Sequence, residues 1–438
     1  MILKRLLKEK RFIMSKICTA AVIGCGSRGV TYSKHMRMFP DRYKIVSICE
    51  IKPDRLARFG KEWDIPEENL FVDENEFLKE KRADVLIIAT HDRDHVRMAV
   101  KALELGYHLL LEKPISPEKH EMIQLLETHK KHPQKVVVCH VLRYAPAYLK
   151  MKEIIESGTI GELRSIEWVE QVHWWHQAHS FVRGNWRRDD GKASPMIMQK
   201  CCHDLDLLQY YAGDKCESVY SIGDLSFYKK EFQPEGAADR CSECQFESTC
   251  VHSAEFNYIT RWKEKGCPAD CWPFNMCCYD VPLTEEKIRK AYADKNNNYG
   301  QCVFACDNSV VDNQVVQMKF RNNVKVHLTM SSFSARGGRK ATFRGTNGEI
   351  NFDEALDFIE VIQFNKAPVK YTISNLVAED KSGFDHGGGD HALVETLYDM
   401  IYNNAEAKTS LEASVESHLI ALAAEESRKT GAVVKVHD

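Results

Sequence analysis

The chain has 438 residues, of which 44% are apolar and 28% charged, a composition typical of a folded protein with room for two domains. A formal net charge of -3 excludes the basic excess that nucleic acids and anionic membranes usually demand. The sequence has no apolar run long enough to cross a membrane. Its first residues, MILKRLLKEKRFIMSK, lack the apolar core of a secretory signal and are expected to precede the first strand as an extension. We therefore expect a cytoplasmic protein with neither a nucleic-acid nor a membrane partner.

The first predicted strand leads directly into a glycine-rich turn. In CTAAVIGCGSRGVTYSKHM, an apolar run precedes Gly24, Gly26 and Gly29, and a helix-compatible segment follows. Glycines at this spacing let the backbone turn tightly and approach a pyrophosphate, whose charge then lies at a helix N-terminus. The motif alone is weak evidence, but its position between a strand and a helix predicts a dinucleotide site.

An acidic residue at the end of the second predicted strand indicates which cofactor binds. The strand YKIVSIC is followed by Glu50. A carboxylate there binds both ribose hydroxyls of NAD and repels the 2′-phosphate of NADP. We therefore expect NAD. NADP is the alternative, because the cations Arg28 and Lys52 lie close by, and Arg28 is counted among the cofactor-binding candidates.

Strand and helix signals keep alternating up to residue 140. Buried-strand runs at 84–90, 107–112 and 135–140 are separated by helical segments. This rhythm predicts the α/β class, with a doubly wound parallel sheet that forms a Rossmann dinucleotide-binding domain over residues 16–140. Ligands of such sheets bind beyond the carboxyl ends of the strands.

Candidate site residues stand at those strand ends. Thr90 and His91 follow one strand as cofactor-binding candidates, and Glu112-Lys113-Pro114 follows the next strand. Pro114 restricts Lys113 to an extended backbone conformation. A lysine at this rim can hold a substrate hydroxyl and help to remove its proton during hydride transfer, so Lys113 is the first catalytic candidate.

Four segments resemble the Gfo/Idh/MocA family of NAD(P)-dependent carbohydrate oxidoreductases. They are AVIGCGSRG, VLIIATHDRDHVRMAVKALELGYHLLLEKPIS, LRYAPAYLKMKEIIESGTIGEL and SLEASVESHLIALAAEESRKTGAVVKV, and the resemblance runs from about residue 16 to 436. The resemblance implies that Glu112 and Lys113 reach the nicotinamide end of the cofactor and the substrate. It also implies that Thr90 and His95 line the cofactor cleft.

After Gly161 the pattern changes to long alternating β segments. The clearest lie at 163–175, 219–228, 314–332 and 341–352. The resemblance implies that residues 141–438 form an α+β substrate-binding domain with a large, mostly antiparallel sheet, one face of which closes the active-site cleft. In this family the same domain commonly carries the interface of a homo-oligomer, either a dimer or a tetramer.

The stretch MIMQKCCHDLDLL, residues 196–208, places two cysteines, a histidine and two aspartates in six consecutive positions. On one continuous helix Gln199, His203 and Asp206 fall within roughly 60° of one another. Cys201 lies on the far side, and Asp204 points well away from His203. These polar residues therefore cannot converge on one ion, and only the stripe of three indicates a functional site.

The resemblance gives this stripe a role. In the family, this helix carries a catalytic histidine, with one aspartate a turn earlier and another three residues later. His203 and Asp206 match, but Gln199 stands at the earlier position, and glutamine cannot accept a proton as a carboxylate does. His203 is the second catalytic candidate, with Gln199 and Asp206 as substrate contacts. A buried histidine with a purely structural role is the alternative.

Two further motifs supply candidate substrate contacts. HWWH at 173–176 and RGNWR at 183–187 combine cations with aromatic rings that suit a sugar, and Arg183 and Trp186 are the residues chosen. An exposed loop is the alternative interpretation.

In FDHGGGD, residues 384–390, the side chains of His386 and Asp390 are placed to reach the substrate, and the glycines let the backbone come close. The resemblance assigns this motif to a subset of the family.

Twelve of the sixteen cysteines lie after residue 200, and seven of these fall in an insert at about 229–300. Thiolates at two-residue spacing are typical of tetrahedral zinc or iron–sulfur sites. The candidate ligands are Cys241, Cys244, Cys250 and Cys271, with Cys267 as the alternative fourth ligand. We expect a structural metal that stabilises a loop-rich excursion over the cleft. Reduced free thiols are the competing interpretation.

Together these patterns predict a cytoplasmic NAD-dependent oxidoreductase that transfers hydride between a nicotinamide and a hydroxyl of a sugar, sugar derivative or polyol. A redox-neutral glycosidase or lyase that keeps NAD bound and passes through a transient keto-sugar is the alternative, suggested by Gln199 and the HGGGD motif. A cofactor-binding sensor without turnover is the third hypothesis, and the presence of Lys113 and His203 argues against it.

Overall fold

The computed structural model describes residues 16–191, 193–377 and 385–437, so the N-terminal extension and Phe384 of the glycine-rich motif lie outside the described residues. The strands are β1 (Cys18–Ile23), β2 (Tyr43–Cys49), β3 (Leu70–Phe71), β4 (Val85–Ile88), β5 (His108–Leu111), β6 (Val136–Val138), β7 (Leu163–His173), β8 (Cys216–Asp224), β9 (Asn313–Phe320), β10 (Lys325–Ser334), β11 (Gly338–Gly345), β12 (Gly348–Asp353), β13 (Phe358–Gln363), β14 (Val369–Thr372) and β15 (Val434–Lys435). The α-helices are Ser27–Arg37, Pro53–Glu62, Glu74–Phe77, His95–Glu104, Lys119–Lys131, Pro146–Glu156, Trp174–His176, Met196–Gln199, Cys202–Ala212, Arg261–Glu264, Phe274–Cys277, Glu285–Ala293, Gly389–Tyr402 and Leu411–Thr430. Within the described ranges, none of these helices is long and apolar enough to span a membrane.

A six-stranded parallel sheet forms the centre of the first of two compact units. Its strand order is β3-β2-β1-β4-β5-β6, the order of a doubly wound dinucleotide-binding sheet. Ala20, Val22, Ile87 and Leu110 are fully buried and belong to one hydrophobic cluster. Such apolar runs are expected of a parallel sheet with both faces covered. The predicted Rossmann fold is confirmed.

The first unit also contains a segment from near the C-terminus. Of the described residues, it combines 16–112 with Glu121–Tyr144 and 385–411. Leu393, Val394 and Leu397, on the helix Gly389–Tyr402, are fully buried in the same cluster as the β1 and β2 side chains. The sequence placed this segment in a second domain that begins at residue 141. The structure assigns it to the first unit because its apolar face packs there.

The second unit is built on a nine-stranded sheet in the order β14-β13-β12-β11-β7-β10-β9-β8-β15. Of its described strand pairs, β7 and β10 are parallel and the others are antiparallel. The predicted mostly antiparallel sheet is confirmed. Trp168 of β7 is fully buried among aromatic rings, with Tyr148 and Tyr211 approaching from two helices.

Two of the predicted long β segments are each a hairpin. The segment 314–332 divides into β9 and β10, and the segment 341–352 divides into β11 and β12. At the first turn Asn323 has a φ of +66°, in the left-handed region that asparagine tolerates better than most residues. Alternation of apolar and polar residues continues on both sides of each turn, which is why it did not reveal the break.

The cysteine-rich insert is more helical than the sequence predicted. Between β8 and β9 the chain forms a π-helix at Glu255–Thr260 and short α-helices at Arg261–Glu264, Phe274–Cys277 and Glu285–Ala293. These elements bury their own apolar cluster, which includes Tyr258, Phe274 and Ile288. The insert therefore has a core of side chains independent of any bound metal.

Candidate active site

The glycine-rich turn after β1 leaves room for a pyrophosphate. A Cβ on Gly29 would lie 2.0 Å from the carbonyl oxygen of Gly24, so only glycine allows the helix Ser27–Arg37 to begin so close to the turn. Gly24 itself has a φ of +91°. A Cβ on Gly26 would meet no atom within 4 Å, so the space beside this helix N-terminus is open. Open space at a helix N-terminus fits the anionic pyrophosphate of a dinucleotide.

Glu50 follows β2 and is hydrogen-bonded to the same turn. Its Oε2 accepts a hydrogen bond from the backbone N–H of Cys25 at 2.8 Å, and its Oε1 accepts one from Lys52 N–H at 2.9 Å. Arg55 Nη1 lies 3.6 Å from Oε2. These contacts fix the orientation of a carboxylate at the strand end where a cofactor ribose is expected.

The residues after β4 differ in exposure. Thr90 and His91 are partly exposed. Asp92 Oδ1 lies 2.8 Å from His91 Nδ1, and this hydrogen bond raises the pKa of His91. His95, in contrast, is buried, and its Nε2 lies 3.3 Å from the carbonyl oxygen of Thr90. Thr90, His91 and His95 were all predicted as cofactor contacts, and the contact with the Thr90 carbonyl holds the His95 ring against the turn after β4.

Arg28 lies at the centre of a charged network that the sequence did not predict. Its Nε lies 2.8 Å from Oε1 of Glu112, and its Nη2 pairs with Oδ1 of Asp390. Tyr32 Oη donates to Glu112 Oε1 at 2.7 Å. His386 Nδ1 lies 2.8 Å from Asp390 Oδ2. The glycine-rich turn, the residue after β5 and the HGGGD motif are thereby joined within the first unit.

This network fixes the charge of Asp390. Burial alone would raise the pKa of Asp390, but the charges of Arg28 and His386 outweigh it and hold that pKa well below its usual range. Asp390 is therefore an anion. A guanidinium already paired with two carboxylates is poorly placed to bind a 2′-phosphate, which favours NAD. His386, predicted as a substrate contact, lies in the first unit beside the cofactor-binding candidates.

Lys113 begins the second unit, and its ammonium contacts the segment that carries the predicted acid–base histidine. Lys113 Nζ donates to the backbone carbonyl of Gln199 at 3.0 Å. Residues 196–208 do not form the single helix that the sequence suggested, because one helix ends at Gln199 and the next begins at Cys202. Carbonyls at a helix C-terminus lack partners within the helix, so this one is available to Lys113.

His203 and Asp206 are both buried on the helix Cys202–Ala212. Asp204, between them, has a different environment. Its Oδ1 accepts hydrogen bonds from Trp168 Nε1 at 2.8 Å and from Arg339 Nε at 3.0 Å. Asp204 therefore anchors this helix to β7 and β11.

Lys200 has a buried carboxylate as its partner. Its Nζ lies 3.0 Å from Oε1 of Glu170, while Arg339 Nε lies 2.8 Å from Oε2 of the same residue. Burial raises the pKa of Glu170, and the charges of Arg339 and Lys200 oppose that rise. Lys200, the cation next to Gln199, therefore belongs to a buried network of two cations and a carboxylate.

Arg183 does not occupy the position that the sequence predicted. It was expected to contact a sugar, but its side chain is buried and directed into the insert. Its Nε donates to the carbonyl of Gln301 at 2.6 Å, and its Nη2 donates to that of His252 at 2.7 Å. These bonds give Arg183 a structural role, whereas Trp186, three residues later, is partly exposed.

The histidine-rich segment after β7 packs against aromatic residues of the insert. The ring of Trp272 has its centroid 5.7 Å from that of Trp175 and 5.1 Å from that of His176. The guanidinium carbon of Arg261 lies 3.3 Å from the centroid of the Trp175 ring. The sequence assigned no site residue to these parts of the insert. The one available signal was an aromatic residue directly after Cys271.

The histidines of this cluster are neutral. Burial lowers the pKa of His176 well below its usual value, and the charges of Lys200, His179, His173 and Lys113 lower it further. Burial, followed by Arg261 and Lys200, also lowers the pKa of His173. Neutral imidazoles can both donate and accept hydrogen bonds, as a polyhydroxylated ligand requires.

The structure does not support the predicted metal site. Cys241, Cys244 and Cys250 line a cavity of about 60 Å³ together with Cys302. The expected fourth ligand, Cys271, is not among the lining residues and instead packs against the core of the insert. Across the described parts of the chain, no group of three or more His, Cys, Asp or Glu side chains is arranged to hold a metal ion.

Two family models match the chain. One is described as the oxidoreductase family, NAD-binding Rossmann fold, and matches residues 18–140. The other is described as the oxidoreductase family, C-terminal alpha/beta domain, and matches residues 152–436. The chain belongs to the Gfo/Idh/MocA oxidoreductase family. The predicted family, fold class and enzyme class, an NAD(P)-dependent oxidoreductase, are confirmed.

Individual relatives of this oxidoreductase are distant. The putative oxidoreductase YteT of Bacillus subtilis strain 168 is 24% identical over 396 residues, which cover 86% of this chain and 88% of that protein. The myo-inositol 2-dehydrogenase of Thermotoga maritima is 21% identical over 204 residues, which cover 47% of this chain and 58% of that protein. Matches of this kind do not define the substrate.

Solved structures share the fold. An oxidoreductase from Agrobacterium radiobacter, in complex with NAD+, L-tartaric acid and magnesium, superposes with a TM-score of 0.68 at 16% identity. The match covers 96% of this chain and 98% of that one. At such identity the likeness is one of architecture, and the individual site residues must be judged from their own geometry.

Proposed function

We propose that this oxidoreductase is an NAD-dependent dehydrogenase that acts on a hydroxyl of a sugar, sugar derivative or polyol. The observation that carries the proposal is the 3.0 Å hydrogen bond from Lys113 Nζ to the carbonyl of Gln199. Lys113 directly follows Glu112, which ends the opening segment of the first unit. The hydrogen bond directs Lys113 towards the helical segment that bears His203.

The cofactor-binding residues belong to the first unit. The glycines at 24, 26 and 29 leave space for the pyrophosphate, and Glu50 accepts hydrogen bonds from the ribose hydroxyls. Thr90 and His91 flank the cofactor from the end of β4. Glu112, fixed by Arg28 and Tyr32, borders the nicotinamide end. Bound NAD supplies the hydride acceptor, which takes two electrons and the hydrogen of the substrate C–H.

The residues of the second unit hold the substrate and move the remaining proton. Lys113 donates a hydrogen bond to the reacting hydroxyl, and His203 accepts its proton as the carbonyl forms. Asp206 lies one helical turn after His203, where it can orient the substrate or the imidazole. Gln199 offers an amide in place of a carboxylate, and Trp186 offers an apolar ring face.

The experiment is a turnover assay with NAD and a panel of monosaccharides, polyols and inositols, with formation of NADH and of the keto product both measured. We expect stoichiometric NADH from at least one compound. The variant Lys113→Met should lose turnover while NAD still binds with wild-type affinity. Full turnover by Lys113→Met would reject the assignment of this lysine.

The same assay distinguishes the redox-neutral alternative. Release of an aglycone from a glycoside without net NADH would show that bound NAD is regenerated in each cycle. The relatives named above are oxidoreductases and dehydrogenases and give that alternative no support. Binding of NAD with no chemistry on any compound would favour the sensor hypothesis. Light scattering of the same preparation tests the expected homo-oligomer.

A further inference from the structure

Arg261 lies in the insert, at the start of the short helix Arg261–Glu264. Its guanidinium stacks on the ring of Trp175, with the central carbon 3.3 Å from the ring centroid, and the residue is only 9% exposed. Within the described residues, its buried Nη1 has no hydrogen-bond partner, and no carboxylate lies within 4.0 Å of the guanidinium. Burial lowers the pKa of Arg261 to about 10, although Glu264 and Tyr258 oppose the fall.

A buried cation without an anion is costly to folding. Removing a charge from water is compensated only by an opposite charge or by several hydrogen bonds. The other two arginines of the insert have partners: Arg289 forms ion pairs with Glu255 and Glu285, and Arg240 donates to several backbone carbonyls. The exception at Arg261 is therefore explained if a ligand brings the missing anion.

The surroundings of Arg261 suit a sugar ring. Trp175, Trp272 and His176 form a partly exposed aromatic group with centroid separations between 5.1 and 5.7 Å. Flat apolar faces of this kind stack against the C–H groups of a pyranose. Charges of Lys113 and Lys200 act on His176, so the aromatic group shares its neighbourhood with the proposed catalytic lysine. All these residues belong to the second unit.

We infer that the substrate is a sugar acid, whose carboxylate binds the Arg261 guanidinium while its ring stacks on Trp272. This inference rests on the proposed dehydrogenase function, because it names the substrate class of the same site. A carboxylate fits the planar N–H edge of a single guanidinium, with two parallel hydrogen bonds. The chemistry is unchanged: the oxidised carbon bears a hydroxyl, and the carboxylate takes no part in electron transfer.

The test compares each neutral sugar with the acid of the same configuration: D-glucose with D-glucuronate, and D-galactose with D-galacturonate. We expect the wild-type protein to have the higher kcat/KM for an acid. Arg261→Met should reduce that value by roughly 10- to 100-fold, chiefly through KM, because a charged hydrogen-bonded pair is lost. NAD affinity should not change, and the ratio of kcat/KM for the acid to that for the matching neutral sugar should fall.

Two variants control for charge and for folding. Lys263→Met removes a cation from the same helix, but this exposed lysine pairs with Glu285 at 2.7 Å, so the preference for acids should persist. Arg261→Met should unfold at the same temperature as wild type or at a higher one, since replacing an unpaired buried charge with an apolar side chain costs little. Arg261→Lys should restore part of the preference.

A direct binding measurement tests this inference separately from the proposed function. Calorimetry of D-glucuronate and D-galacturonate on the NAD-loaded protein needs no turnover. Binding that is lost in Arg261→Met supports the inference even if no NADH forms. Turnover of neutral sugars with no preference for acids would overturn the inference while leaving the dehydrogenase function intact. Equal acid binding by wild type and Arg261→Met, or a preference for sugar phosphates, would also overturn it.

Discussion

Arg28 Nε lies 2.8 Å from Oε1 of Glu112, which joins the helix after the glycine-rich turn to the residue that follows β5. The same guanidinium pairs with Asp390 from the C-terminal segment of the first unit. One side chain therefore connects three parts of the chain that are far apart in sequence. Because both carboxylates are buried, removal of this side chain should lower the stability of the protein and weaken cofactor binding.

Arg28→Met should lower the free energy of unfolding by about 3 kcal/mol, since it leaves buried carboxylates without their main cation. Urea unfolding followed by circular dichroism measures the change. Arg164→Met is the matched control: its partner Glu162 is exposed, and loss of such a surface pair should cost less than about 1 kcal/mol. Similar losses in the two variants would contradict the importance of the Arg28 network.

Stability should depend on pH through Asp390. Its folded pKa is lowered by Arg28 and His386, so its contribution is fully present above the unfolded value of about 4 and is lost as the pH falls towards the folded pKa. The free energy of unfolding, measured from neutral to acidic pH, should decline below about pH 4. The decline should be shallower in Asp390→Asn than in the wild type. Parallel curves for the two proteins would show that this carboxylate is not the source.

Two glycine variants separate folding from cofactor binding. Gly29→Ala should destabilise the first unit, because its Cβ would lie 2.0 Å from the carbonyl oxygen of Gly24. Gly26→Ala places its Cβ in open space and should keep the melting temperature, but the methyl group would occupy room needed by the pyrophosphate. Fluorescence titration with NADH should therefore show weaker binding to Gly26→Ala. Unchanged affinity would place the pyrophosphate elsewhere.

Neighbouring residues on one helix should separate chemistry from stability. His203→Asn should reduce kcat by roughly 100- to 10,000-fold, the usual contribution of an acid–base group, with little change in stability. Asp204→Asn removes the charge that faces Arg339 and should instead lower the free energy of unfolding by about 3 kcal/mol. Steady-state kinetics and urea unfolding of both variants decide the matter. Loss of stability in His203→Asn together with loss of kcat in Asp204→Asn would contradict this assignment.

Much of the first unit could be predicted from the sequence, because its signals are local. The glycine spacing, the apolar strand runs and Glu50 after β2 each depend on neighbouring residues. The placement of the helix Gly389–Tyr402 could not be predicted in this way. Its apolar residues show that one face is buried, but not which core buries it.

The site of the second unit was less predictable for a similar reason. Residues 196–208 are all compatible with helix, so nothing in the periodicity revealed the end at Gln199. Arg183 looked like a sugar-binding cation, yet its partners are carbonyls more than sixty residues away in sequence. Arg261 had no sequence signal, because its proximity to Trp175 depends on how the insert folds.

The distribution of the first unit over distant segments has a consequence for biosynthesis. Its hydrophobic cluster needs Leu393 and Val394, which leave the ribosome only after strands β1 to β14 have been translated. Domains generally fold in order from the N-terminus during synthesis. Here part of the apolar surface of the nucleotide-binding sheet stays uncovered until these residues are made. A polypeptide cut short before residue 385 should therefore be a substrate for chaperones or proteases.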